Sequence, residues 1–114
     1  MIEKTILDFL KSKLDMPVFL EVPKAPPDAF VLLERTAGGE RDYIYTATFA
    51  IQSYAASLLK AAELNERVKK AMRELTLLDG VSRCRLNSDY NFTETSTKRY
   101  RYQAVFEIVY LERD

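Results

Sequence analysis

Cys84 sits between Arg83 and Arg85, and flanking cations of this kind can lower a thiol pKa and produce a nucleophile. Strand alternation works against that chemistry. Neighbouring residues point to opposite faces, so both arginines face away from a cysteine that serves as a small core hydrophobe. The chain contains no histidine, which removes Ser-His-Asp and Cys-His activation, histidine-based metal sites and the commonest general base. Gly38-Gly39 leads into a strand rather than a helix, so a hairpin turn is a better reading than a phosphate-cradling loop. Asp89 and Glu94 lie in a polar segment without the residue spacing of a calcium loop. Lys98, Arg99 and Arg101, interleaved with Tyr100 and Tyr102, have the composition of a strip that stacks on single-stranded nucleic acid. A two-residue period separates them, with the tyrosines on the core side and Arg99 and Arg101 outward. These residues assign no catalytic centre, cofactor or metal. An enzyme built only from carboxylates, lysines and tyrosines would need a deep cleft with paired carboxylates.

The scaffold holding these residues has room for one core. A chain of 114 residues is the size of a single domain, read here as residues 1–114, and buries about two-thirds of its surface on folding. Hydrophobic residues make up 47% and charged residues 30%, a globular balance that argues against disorder. Seventeen basic and seventeen acidic residues cancel, so a monomer lacks the positive field behind sequence-independent DNA affinity. Sequence-specific nucleic-acid binding is not expected. No apolar run approaches the ~18 residues of a membrane span, and the N-terminus lacks a secretory core. One cysteine cannot form an intramolecular disulfide, which fits a reducing cytoplasm.

Ile2, Ile6, Leu10 and Leu14 describe an amphipathic helix with Phe9 beside the stripe, closed by Pro17. Val18 to Val22 reads as a short edge strand running into Pro23, Pro26 and Pro27. Phe30 to Arg35 is the next strand, and Ala37 to Glu40 supplies its reversal through the paired glycines. A strand from about Tyr43 to Gln52 follows, with Tyr43, Tyr45, Ala47, Phe49 and Ile51 on its core face. Ser53 is placed to cap a long helix whose stripe is Leu58, Ala62, Val68, Met72 and Leu75, with Glu63–Arg67 and Glu66–Lys70 pairs outside and a break possible near Asn65. Val81 to Leu86 reads as a strand and Asn87 to Thr97 as a long hairpin loop. Tyr100 to Tyr110 shows the clearest two-residue period and belongs inside the sheet. The resulting class is α+β: a mostly antiparallel sheet of four to five strands with two helices on one face, in the order α-β-β-β-α-β-β. The opposite face mixes Thr46, Thr48, Gln52, Gln103 and Glu107 with Ile44, Val105, Val109 and Leu111, a polarity suited to subunit contact.

Several stretches together resemble the tail terminator or tail completion proteins, minor tail proteins of long-tailed bacteriophages and prophages. They are the N-terminal helix, Val22-Pro23-Lys24-Ala25-Pro26-Pro27-Asp28-Ala29-Phe30-Val31 leading to Glu34-Arg35-Thr36-Ala37-Gly38-Gly39, the long Ala-rich helix, and the ending from Leu86-Asn87-Ser88-Asp89-Tyr90-Asn91-Phe92 through Arg99-Tyr100-Arg101-Tyr102-Gln103-Ala104. The resemblance implies a structural protein and not an enzyme. Its copies would form a ring, expected to be hexameric, on the end of the tail tube, stopping tube growth and permitting head–tail joining. Its partners would be itself, the tail tube protein and the head–tail connector protein, in the virion tail and, during assembly, the host cytoplasm. DNA would pass through the lumen unread. The Ala37 to Asp42 and Asn87 to Thr97 segments correspond to protrusions that contact tube or neighbours. In and beside them the interface candidates are Arg35, Arg41, Tyr90, Phe92, Arg99 and Arg101. Another connector or minor tail component is the nearest alternative. A monomeric small-molecule or peptide-binding module, with a pocket between helix and sheet, is the alternative from a different class.

Overall fold

The structure, a computed structural model, describes residues 1–112. The element order is α1 (Ile2–Leu14), β1 (Val18–Phe19), β2 (Phe30–Arg41), β3 (Ile44–Ala55), α2 (Leu58–Met72), a single 3-10 turn (Leu75–Leu77), β4 (Val81–Asn91) and β5 (Tyr100–Leu111). This is an α+β fold with five strands in the spatial order β1-β2-β3-β5-β4. Only the β1–β2 pair is parallel; the other three are antiparallel. The β5 strand is interior, as its alternation predicts.

Both helices cover one face. From α1, Ile2, Ile6, Leu10 and Leu14 are buried at the predicted spacing. They meet Val31 and Leu33 of β2, Phe49 and Ile51 of β3, and Phe106 and Ile108 of β5 in one cluster. Each such side chain contributes about 1.5–3 kcal/mol when fully removed from water. The helix ends at Asp15, which adopts a left-handed conformation (φ 51°) and donates its amide to the Lys11 carbonyl, two residues ahead of Pro17.

Several expectations need correction. The turn between β2 and β3 is not at the glycines: Gly38 and Gly39 are strand residues paired with Ala47 and Thr46. Asp42 (φ 52°) and Tyr43 (φ 68°) make the reversal instead, the consecutive positive φ values of a type I′ hairpin. Tyr43 is thus a turn residue, 81% exposed, and not part of the core face. Ser53 is a strand residue; the cap of α2 is Ser57, whose hydroxyl accepts the Lys60 amide at 3.2 Å. With the start moved to Leu58, the buried stripe becomes Ala61, Leu64, Asn65, Val68, Ala71 and Met72, while Leu58 is exposed. The helix passes Asn65 unbroken. Lys69 pairs with Glu66 (2.6 Å), and Arg67 donates to the Leu14 carbonyl (2.6 Å), tying α2 to the end of α1. The second edge strand, β1, is only Val18–Phe19. The segment read as a loop from Asn87 continues β4 to Asn91, with register shifts at Val81/Arg83 and Leu86/Ser88.

Beyond Leu33 every residue of β2 is exposed. Its partner on that side, β1, reaches only Leu32, so the β2 edge is open from Leu33 to the turn. The described residues span 45 × 25 × 23 Å.

Candidate functional site

The open face of the sheet carries a connected aromatic, amide and arginine network. Phe30 of β2 stacks on Tyr54 of β3, with ring centroids 4.4 Å apart and planes within 8°, and Phe19 of β1 meets Phe30 edge-on at 5.8 Å. The Tyr54 hydroxyl donates to Gln52 Oε1 (2.9 Å), Gln52 Nε2 donates to Gln103 Oε1 (3.0 Å), and Gln103 Nε2 donates to the Tyr90 hydroxyl. From β5, Arg101 donates to the Tyr54 hydroxyl (2.7 Å) and to the Phe92 carbonyl (2.7 Å). Its guanidinium also lies 4.5 Å from the Phe92 ring centroid. The network closes because β3–β5 pairing sets Gln52 beside Gln103 and Tyr54 beside Arg101, and β4–β5 pairing sets Tyr90 beside Gln103. Gln52, Gln103, Tyr54 and Phe30 are all buried, so the amides are in low dielectric and depend on their mutual bonds.

Four of the six interface candidates converge here. Tyr90 and Phe92 meet edge-on at 5.8 Å, Arg101 joins Phe92 to Tyr54, and Arg99 places its guanidinium 5.3 Å from the Tyr54 ring centroid. Arg35 and Arg41 lie elsewhere. Arg35 is on the helix-side face, 3.5 Å from the Glu3 carboxylate, and its guanidinium lies against Gly38, where a Cβ would displace only the flexible end of the Arg35 side chain. Arg41 is exposed at the hairpin tip.

Three network residues escaped the sequence reading. Tyr54 follows Ser53, the expected cap, and so falls within the predicted helix, whereas the helix starts at Leu58 and Tyr54 belongs to β3. Gln52 and Gln103 were placed on the correct face, but their pairing depends on the β3–β5 register, for which the only sequence signal is two glutamines on facing strands.

The helix-side polar groups are structural. Asn65, buried on α2, donates to Asp89 (3.0 Å), which also accepts from Lys69 (3.1 Å). The Glu66 hydrogen bond, with Asp89 adding to it, holds the Lys69 ammonium above its ordinary pKa. Cys84 packs against the core, and burial pushes its thiol up to about 11, the reverse of nucleophile activation. Tyr110 is buried and Tyr100 and Tyr102 are half-buried; Tyr100 lines an open cleft beside Lys98 and Arg99. Burial raises the Tyr110 phenol.

Among the described residues, no group of three or more His, Cys, Asp or Glu could hold a metal ion, and no helix is long and apolar enough to cross a membrane. At the end of the sheet opposite the hairpin tip is an open cleft of about 260 Å³, whose lining includes Pro26, Pro27, Asp28, Tyr54, Lys98 and Arg99. No family model matches the chain, and no curated protein matches it.

Proposed function

We propose that the protein is a self-associating structural subunit of a phage or prophage tail. Its copies form a ring at the end of the tail tube, stop tube growth and present a surface for head–tail joining. The observation that carries the reading is the hairpin from Glu34 to Tyr45. It is exposed on β2 throughout and keeps its β2 edge unpaired. A free strand edge this long is a liability in a monomer and an asset in an assembly. The open face supports the same reading, since an amide and arginine network flanked by exposed Ile44 and Leu111 gives a rigid surface of mixed polarity, as in subunit interfaces. The resemblance of the stretches from Val22 to Gly39 and from Leu86 to Ala104 selects tail termination among assembly roles. The tail tube protein and the head–tail connector are then its partners, in the virion tail, and DNA passes through the ring without base contacts.

Light scattering on the purified chain tests the first half, with a six-subunit particle or a concentration-dependent oligomer expected. Electron micrographs of tail tubes grown with and without the protein test the second, with capped tubes of limited length expected. A strict monomer that leaves tube growth unchanged would sink the proposal.

A further inference from the structure

We infer that copies of this chain join head to tail, the Asp42-Tyr43 tip of one hairpin seating in the Pro26–Arg99 cleft of the next copy. This rests on the self-association proposed above and names its contact. The first observation is the turn. Type I′ turns favour Asn-Gly because both central residues need positive φ. Here the glycine position holds Tyr43, at φ 68° and 81% exposed. A bulky aromatic in a left-handed conformation, with most of its surface in water, is disfavoured by backbone sterics and by solvation alike. A buried destination on another molecule gives it a use, since tyrosine is a favoured interface anchor.

The second observation is complementarity. Glu40 and Asp42 flank Arg41 at the tip, and all three are exposed. The cleft offers Lys98 and Arg99 beside Asp28, with Pro26, Pro27 and the half-buried Tyr100 as walls. Among the described residues no salt bridge engages Glu40, Arg41, Asp42, Asp28, Lys98 or Arg99. Docking therefore sets two acids and a base against two bases and an acid, none of them in a salt bridge, and lays the Tyr43 ring against Pro26, Pro27 and the half-buried Tyr100.

The third is geometry. The tip lies at the start of β3 and the cleft at its end. Twelve strand residues put roughly 37 Å between them at about 3.4 Å per residue. The tip cannot reach its own cleft. An interface whose halves lie at opposite ends of one subunit is heterologous and propagates until a rotation closes it into a ring.

Sedimentation velocity on the wild type, Tyr43→Gly, Lys98→Glu/Arg99→Glu and an equimolar mixture of the two variants tests this. Tyr43→Gly restores the residue that the turn favours, so it should keep or raise Tm while weakening self-association roughly thirtyfold or more, the scale of an interface anchor. The double variant should also be monomeric. Mixed, the intact cleft of the first should take the intact tip of the second, giving a one-to-one dimer that grows no further. If both variants assemble like the wild type, another surface makes the contact and this inference fails while the ring reading stands. A mixture that stays monomeric, or a fall in Tm for Tyr43→Gly, overturns it too. A wild type that is monomeric at every concentration overturns both.

Discussion

On the helix-covered side of the sheet, Phe49, Ile51, Phe106 and Ile108 are buried beneath α1 and α2. On the other side, Phe30, Tyr54, Gln52 and Gln103 reach comparable burial among their strand neighbours. The first face needs only hydrophobicity and approximate volume, because a second layer keeps water out. The second depends on specific partners, since each amide and hydroxyl removed from water must find another polar group. A layered core therefore tolerates conservative exchange, whereas a single-layer network does not.

The largest effect should come from the layered face. Phe49→Ala leaves a cavity that cannot collapse between helices and sheet, and urea unfolding should show a loss of about 3–5 kcal/mol. A loss below about 1 kcal/mol would mean that the two faces do not differ in the way described. Next is the network. Gln103→Leu strands the Gln52 amide and should cost about 1–3 kcal/mol. Adding Gln52→Leu removes the stranded group, so the double variant should cost less than the sum of the singles by about 1 kcal/mol. Strict additivity would show that the amides are not coupled. The smallest effect is alkaline. The Cys84 thiol rises from an ordinary value of about 9 to about 11 on folding, so its neutral form is favoured in the folded state. That contribution is complete below about pH 9 and is lost as pH rises towards 11. Lys69 and Tyr110, also raised, act in the same direction. Cys84→Ala should flatten the fall in stability between pH 9 and 11 by an amount on the order of 1 kcal/mol, after discounting for solvent at a half-buried thiol. Unchanged curvature would place the alkaline transition elsewhere.

Residues whose local period matched their environment were legible in advance: the four-residue spacing of α1, the alternation of β5 and the membership of the open face. The failures share one cause, which is that local preference was outweighed by pairing. Gly38-Gly39 has the composition of a turn, but continuous pairing with β3 carries β2 past it to Asp42-Tyr43. Ser53 has the chemistry of a cap, but its backbone is committed to β3, and Ser57 takes the role. Asn87 to Asn91 is polar because it lies on an edge, where one face and one side meet water, and not because it is a loop.

By itself the sequence determined which stretches could bury an apolar side, that two helices would share one face of a mostly antiparallel sheet, and that histidine-dependent chemistry was closed to this chain. The tertiary structure decided the register, and with it that Gln52 meets Gln103, that Arg101 reaches Tyr54 and Phe92, and that Tyr43 stands alone at the tip. Amphipathic period is a property of neighbours along the chain, set by the geometry of one helix turn or one pleat. Cross-strand partnership belongs to residues as far apart in the chain as Ile44 and Leu111, and a shift of one residue would exchange every one of those partners for a residue of the opposite face.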